Sequence, residues 1–245
     1  MPLKFMPDVS LYPEPYAVDY SGLLNEINKL EILSSAQLQT EYLRRWLDYL
    51  SYLDKTTVSE LRRCSIIDCG FRKAGQRVEI MQKHIFFGDV DLFVHFRTDD
   101  ALKLIAEGVV SGEEGDLSCL DFIDDNRVIS WTPIERMVTR DEITSEPIIV
   151  VPFHNYHFLF LVIDGNHRVT YHVQNNIETI NSLMLHPQTL VDRNLFPSEF
   201  DKAIYIFLEE TYALYQARCR QSLTEQQMME LIQSTYTYKK HIARG

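Results

Sequence analysis

Apolar residues recur at helical spacing through the first part of the chain. Leu23, Ile27 and Leu30 share one face, and Leu43, Trp46, Leu47, Leu50 and Leu53 form a longer stripe. Ser34 with Gln37, and Thr57 with Glu60, have the spacing of reciprocal helix caps. The pattern therefore predicts helices from about residue 21 to about residue 84, reading as a packing layer or a partner surface. Residues 1–20 are proline-rich and aperiodic, and predict an extended arm.

The period then changes. "IFFGDVDLFVHFRT" mixes aromatic residues with alternation and predicts a strand at about 89–96. "DDALKLIAEGVV" predicts a short helix stopped at Gly108. "SGEEGDLS" reads as an acidic loop. "NRVISW" predicts a strand, and "TPIERMV" a short helix with Thr132 as cap and Pro133 at its start. "PIIVV", 147–151, and "FLFLVID", 158–164, are apolar on both faces, as strands covered on both sides are. A helix follows from Asn166 to about Asn175, where Asn175-Asn176 suits a left-handed cap, and "IETINSLML" is a further strand.

From residue 187 the helical period returns. Pro197 falls in the first turn of a long helix that buries Phe200, Ile204, Phe207, Leu208 and Tyr215. Thr224 and Gln227 open a last helix through about 236. The fold class is thus α/β, with an arm and helical region at 1–85, a core at 86–190 and C-terminal helices at 191–245.

Composition narrows the function. The hydrophobic share, 45%, supports a sizeable core, and the formal net charge of −11 disfavours non-specific DNA binding, which needs Lys and Arg to displace counterions. The first ten residues lack the apolar core of a signal peptide. The longest apolar run, ending at Ile163, is far shorter than the ~20 residues that span a bilayer. Cys64, Cys69, Cys119 and Cys219 have no zinc-site spacing and read as reduced thiols of a cytoplasmic protein.

The chemistry concentrates in Asp164-Gly165-Asn166-His167-Arg168, where an apolar strand stops and a helix begins. Gly165 permits a tight turn and close backbone approach. The first N–H groups of the helix, at Asn166 to Arg168, favour an anion. Arg168 can grip phosphate oxygens with its planar fork, and His167 can donate to phosphate or move a proton near neutral pH. Asp164 can hold a metal ion, orient His167 or accept a hydroxyl proton. Thr170 lies one turn on and can face the same site. These residues describe a phosphate or nucleotide site with an acid beside it. The plainer alternative is a helix capped by Asp164, with His167 and Arg168 solvated.

Segment 127–186 resembles the ParB/sulfiredoxin superfamily: "VISWTPIERMV" is similar to its opening strand and helix, "EPIIVV" to its Pro-Ile-x-Val strand, and "FLVIDGNHRVTYHVQNNIETINSLML" to its phosphate-binding turn and closing strand. The motif also resembles the DGQHR-type domains and the D-G-H-x-R motif of ADP-dependent free-serine kinases. The resemblance implies a mixed-sheet core that binds a nucleotide (ATP, ADP or CTP) on Gly165, Asn166, His167, Arg168 and Thr170. It places Mg²⁺ at Asp164, with Asp164 and His167 as catalytic residues of a nucleotide hydrolase or phosphotransferase. Two departures matter. Asn166 stands where sulfiredoxins carry a reactive cysteine, so thiol chemistry is not expected. It also lacks the charge of the glutamate found there in nucleotide-gated ParB proteins, and no basic helix-turn-helix follows the core.

Two further readings belong to other classes. The chain can be a non-catalytic regulator that keeps this fold as a scaffold and binds a protein partner through its helical flanks. Alternatively, "HFRT", residues 95–98, resembles the His-x-Thr/Ser entry of ADP-ribosyltransferases, which centres an enzyme on His95. His154 and His157 could ligate a metal with Asp164, although the turn they flank explains them more simply. Glu146 could act as a base, although a solvated acid is the plainer reading.

Overall fold

The structure is a computed structural model that describes residues 3–4, 14–63, 68–69, 72–73, 79–125, 127–220 and 223–234. In chain order the helices are α1 (Tyr20–Asn28), α2 (Ala36–Arg63), α3 (Thr98–Ala106), α4 (Leu120–Ile123), α5 (Asn166–Gln174), α6 (Pro187–Asp192), α7 (Glu199–Cys219) and α8 (Glu225–Ser234). The principal strands are β1 (Ile80–Phe87), β2 (Val90–Arg97), β3 (Glu113–Ser118), β4 (Ile129–Ser130), β5 (Ile148–Pro152), β6 (Phe160–Asp164) and β7 (Thr179–Met184). Two-residue strands also pair, Leu3–Lys4 with Glu14–Pro15 and Asp68–Cys69 with Arg72–Lys73. Helices with a mixed sheet make this an α/β protein. The chain separates into two compact units, one of Met1–Val78, Gln82–His95 and Pro197–Gly245, the other of Glu79–Met81 and Phe96–Phe196.

The first unit is mainly helical. The stripe Leu43, Trp46, Leu47, Leu50 and Leu53 is buried on α2, as its period predicts. Trp46 packs on Phe207 of α7 at 5.3 Å between ring centroids, and Tyr42 donates to Glu210 at 3.1 Å. α7 buries most of its circumference, including Phe200, Ile204, Phe207 and Leu208. Caps differ from expectation in two places. Ser35, not Ser34, accepts from the N–H of Leu38 at 3.3 Å, and α2 runs through Thr57 without restarting. At the other end the expected cap forms, with the N–H of Gln227 donating to Thr224. The helical run also ends earlier than predicted. β1 begins at Ile80 and turns at Gly88 into β2, so the aromatic stretch is a hairpin. Cross-strand packing of aromatic rings such as His84 on Phe93, 4.3 Å apart, outweighs the helical spacing there.

The second unit holds a five-stranded sheet in the order β3-β7-β5-β6-β4. β7 runs parallel to β5 and antiparallel to β3, while β6 runs antiparallel to β5 and parallel to β4. Its central strands are covered on both faces. Ile148, Val150, Val162 and Ile180 join Phe122, Ile129 and Val169 of α5 in one core, and the alternate residues Ile149, Val151, Leu161 and Ile163 are also buried. Each such side chain contributes about 1.5–3 kcal/mol of burial free energy. Two expectations fail here. The acidic stretch 113–118 is a strand, β3, and "TPIERMV" is an irregular strap rather than a helix. The strap ends in a 3-10 turn, Arg140–Glu142, closed by a reciprocal cap between Thr139 and Glu142.

Candidate functional site

The turn after β6 is built by three local features. The register of β6 on β5 shifts between Val162 and Asp164, which is the signature of a bulge and re-aims the strand end. Gly165 then adopts φ +96, the left-handed region that a side chain resists. α5 begins at once, at Asn166. The strand, turn and helix therefore fall where the sequence put them. The space at Gly165 serves the protein itself, since a Cβ there would meet Ile148 Cγ2 at 2.5 Å and Arg168 Nε at 3.0 Å.

Arg168 is 8% exposed. Its Nη1 donates to the carbonyl of Glu146 at 2.6 Å and to that of Pro147 at 3.1 Å, and its Nη2 donates to Asp164 Oδ2. The guanidinium thus closes the segment ahead of β5 onto the end of β6. Asp164 is paired with Arg168 and does not cap α5, whose N-cap is Gly165 with no side-chain bond. The capped-helix alternative is right that His167 is exposed, but Asp164 is no cap and Arg168 is not solvated.

One face of α5 holds the strap. Asn166 Oδ1 accepts from the N–H of Thr132 at 2.9 Å, Thr170 Oγ1 from that of Ile134 at 3.1 Å, and Gln174 Oε1 from that of Val138 at 3.0 Å. Gln174 also donates to the carbonyl of Arg136 at 2.9 Å, and Thr170 to that of Asn166 at 2.8 Å. These side chains stand four residues apart on one helix face and hold the strap at three points along its backbone. The N–H groups of Thr132 and Ile134 would lie in the first turn of a helix at 132–138, where no helical acceptor exists, so only that of Val138 is diverted from a helical bond. Gln174 escaped the sequence reading, although its four-residue spacing from Thr170 was the available signal. At the far end of the strap, Arg136 bonds Glu142 at 2.6 Å and the Thr139 N–H donates to the same carboxylate. These contacts, Arg136 first, hold the Glu142 carboxyl at about 2.

Among the described residues no side chain bonds the N–H groups of Asn166, His167 and Arg168, and His167 is exposed. Among the described residues nothing hydrogen-bonds the His167 ring. The donor set suits an anion. It suits Mg²⁺ less well: Asp164 already faces a guanidinium, and among the described residues no group of three or more His, Cys, Asp or Glu gathers to hold a metal.

The other constellations are engaged elsewhere. His95 is 1% exposed. Its Nδ1 lies 2.7 Å from Asp201 Oδ1 and its Nε2 2.9 Å from Gln82 Oε1, while its backbone N–H donates to the same Asp201 oxygen at 3.0 Å. The other Asp201 oxygen accepts from Ser198, the N-cap of α7. His95 thus fastens β2 to the first turn of α7. His154 and His157 flank a turn that Asn155 organises by accepting from the N–H of Phe158 at 2.9 Å. Glu146 contributes its carbonyl to Arg168, and the residue is exposed.

Among the described residues no helix is long and apolar enough to cross a membrane. In comparison with known proteins, no family model, curated protein or solved structure matches this chain.

Proposed function

We propose that this chain binds a phosphate-bearing small molecule, a nucleotide on the ParB/sulfiredoxin-like reading, at the start of α5, and that it acts as a binding protein rather than a catalyst. The observation that carries the proposal is the uncapped N-terminus of α5 beside exposed His167, directly after a glycine turn at the end of a sheet strand. Backbone N–H groups and the helix dipole favour negative charge there. Asp164 argues against catalysis. Its Oδ2 accepts from the buried Arg168 guanidinium, whose positive charge opposes a metal ion beside it.

A second reading has its own observation. Asp164, Asn166, Arg168 and Thr170 all bond within the protein, so the motif can serve as a fastening for the strap and for the segment before β5. The chain would then be a scaffold whose work is done elsewhere on its surface.

Calorimetry and thermal shift with ATP, ADP, CTP, NAD and inorganic phosphate separate the two. At ligand a hundred times Kd the stabilisation is about 2.7 kcal/mol. His167→Glu places a carboxylate in the first turn of α5, where it competes with an incoming anion while complementing the dipole. The expected outcome is at least a tenfold loss of phosphate or nucleotide affinity with Tm unchanged or raised. If no phosphate-bearing ligand binds, or if His167→Glu binds as well as wild type, the fastening reading stands alone.

A further inference from the structure

We propose that the outer edge of β3 docks an extended, basic segment of a partner protein, which adds a strand to the sheet and seats an aliphatic side chain in the cavity beyond Ser118. This surface lies away from the start of α5 and does not depend on what binds there.

β3 is a terminal strand of the sheet and, among the described residues, pairs with β7 alone. The parity of its ladder is readable. The N–H of Cys119 donates to the carbonyl of Glu178 at 2.9 Å, in continuation of the pairing of Ser118 with Thr179. Odd-numbered residues therefore turn their backbone groups toward β7, and Glu114, Asp116 and Ser118 turn theirs outward. Glu113, Glu114, Gly115 and Asp116 are exposed, and a Cβ built on Gly115 would meet nothing within 4 Å. The edge is open to an incoming chain.

Charge selects the occupant. Glu113, Glu114 and Asp116 line the edge, with Asp121 and Glu178 at its far end. His186 stands 3.5 Å from Glu113, whereas among the described residues Glu114 and Asp116 have no cationic partner. A second copy of β3 would set carboxylate against carboxylate, which opposes pairing. A strand bearing Lys or Arg meets the opposite field. This composition also explains why the stretch resembles a loop in sequence: an edge strand with exposed side chains needs no apolar alternation.

The cavity supplies the second half of the site. It measures about 460 Å³ and opens where β3 ends, between Cys119, Leu120, Ile123, Val173 and Ile177. Leu120 is 62% exposed and Ile123 49%, an apolar rim left uncovered on an acidic surface. Strand addition works in this way elsewhere: main-chain hydrogen bonds hold the peptide, and a pocket for a side chain sets its register.

The test uses the full chain and two fluorescent, end-blocked decapeptides. One alternates lysine with valine and carries leucine at both ends, and the other has glutamate in place of lysine. Anisotropy should show the lysine peptide binding at least tenfold more tightly. General attraction to an acidic protein is separated by two variants of one residue. Asp116→Asn removes the charge and keeps the outward N–H, whereas Asp116→Pro removes both, at a position where an edge strand tolerates proline. Proline should weaken binding at least fivefold more than asparagine, and Ile123→Gln should weaken it at least threefold. Amide exchange on the wild type gives a reading that needs no variant, with Glu114, Asp116 and Ser118 gaining protection when the lysine peptide is added. Equal binding by the two Asp116 variants, equal binding of both peptides, or unchanged protection at the three amides would overturn the proposal. So would a dimer of the free chain, seen by light scattering, that Asp116→Pro dissociates.

Discussion

The guanidinium of Arg168 folds back along the first turn of α5 and donates to the carboxylate of Asp164, four residues earlier. Both belong to the segment with the most functional appearance in the sequence, and each answers the charge of the other. The same guanidinium reaches the carbonyls of Glu146 and Pro147, so one side chain ties three pieces of backbone together.

Removing that tie should cost stability. Arg168→Ala leaves Asp164 unpaired and two carbonyls without a donor, and is expected to lower the unfolding free energy by about 3 kcal/mol. Asp164→Asn keeps an acceptor for Nη2 and should cost less. Urea titration measures both. A loss of only about 0.5 kcal/mol in Arg168→Ala, the range of ordinary surface changes, would mean that the guanidinium is free in solution and would return it to the pool of phosphate-gripping groups.

Glycines at two positions should respond oppositely. Gly165→Ala meets both a left-handed backbone and the fully buried Ile148, and should destabilise by about 2 kcal/mol or more. Gly115→Ala enters open space on β3, where a restricted unfolded chain favours folding, and should be neutral or stabilising by up to about 1 kcal/mol. Thermal melts of the pair check the contrast.

The strap should loosen one bond at a time. Thr170→Val withdraws the acceptor of the Ile134 N–H and should cost about 1–2 kcal/mol. Gln174→Ala should raise amide exchange at Val138 while leaving Ile134 protected. Exchange that rises equally at both amides would show the strap to be held by something other than these separate bonds.

Acid should open the far end of the strap late. The Glu142 carboxyl is held near 2, against about 4.3 for an unperturbed glutamate. A depressed carboxyl stabilises above its unfolded value and loses that contribution as pH falls through the folded one. The Thr139–Glu142 turn should therefore persist at pH 3 and open near pH 2. Arg136→Ala should move the midpoint up toward the ordinary value, as should high salt, because the pair is exposed. A carbon-detected titration of Glu142 reads the midpoint directly.

Buried His95 should not recognise NAD. Both ring nitrogens lie within hydrogen-bond distance of Asp201 and Gln82. Millimolar NAD should leave Tm unchanged, whereas Asp201→Ala should lower it by stripping the histidine of its acceptor. Stabilisation by NAD that His95→Gln abolishes would revive the ADP-ribosyltransferase reading.

Patterns that close over a few residues were legible in the sequence. The apolar stripe of α2, the strand–glycine–helix turn at Asp164–Asn166 and the left-handed Asn176 are set by periodicity and by backbone preferences that need no distant partner. Tertiary structure decided what sequence-distant partners control. β3 is a strand because β7 pairs with it, although its own residues have loop composition. Residues 132–138 are a strap because Asn166, Thr170 and Gln174 hold its backbone at three points, Gln174 taking the Val138 N–H that a helix would have used. Arg168 turns inward because the chain ahead of β5 brings carbonyls within reach of its fork. The sequence names an arginine suited to phosphate, but whether its donors face solvent or backbone depends on segments about twenty residues away. That competition between an internal and an external acceptor is settled only when the sheet assembles.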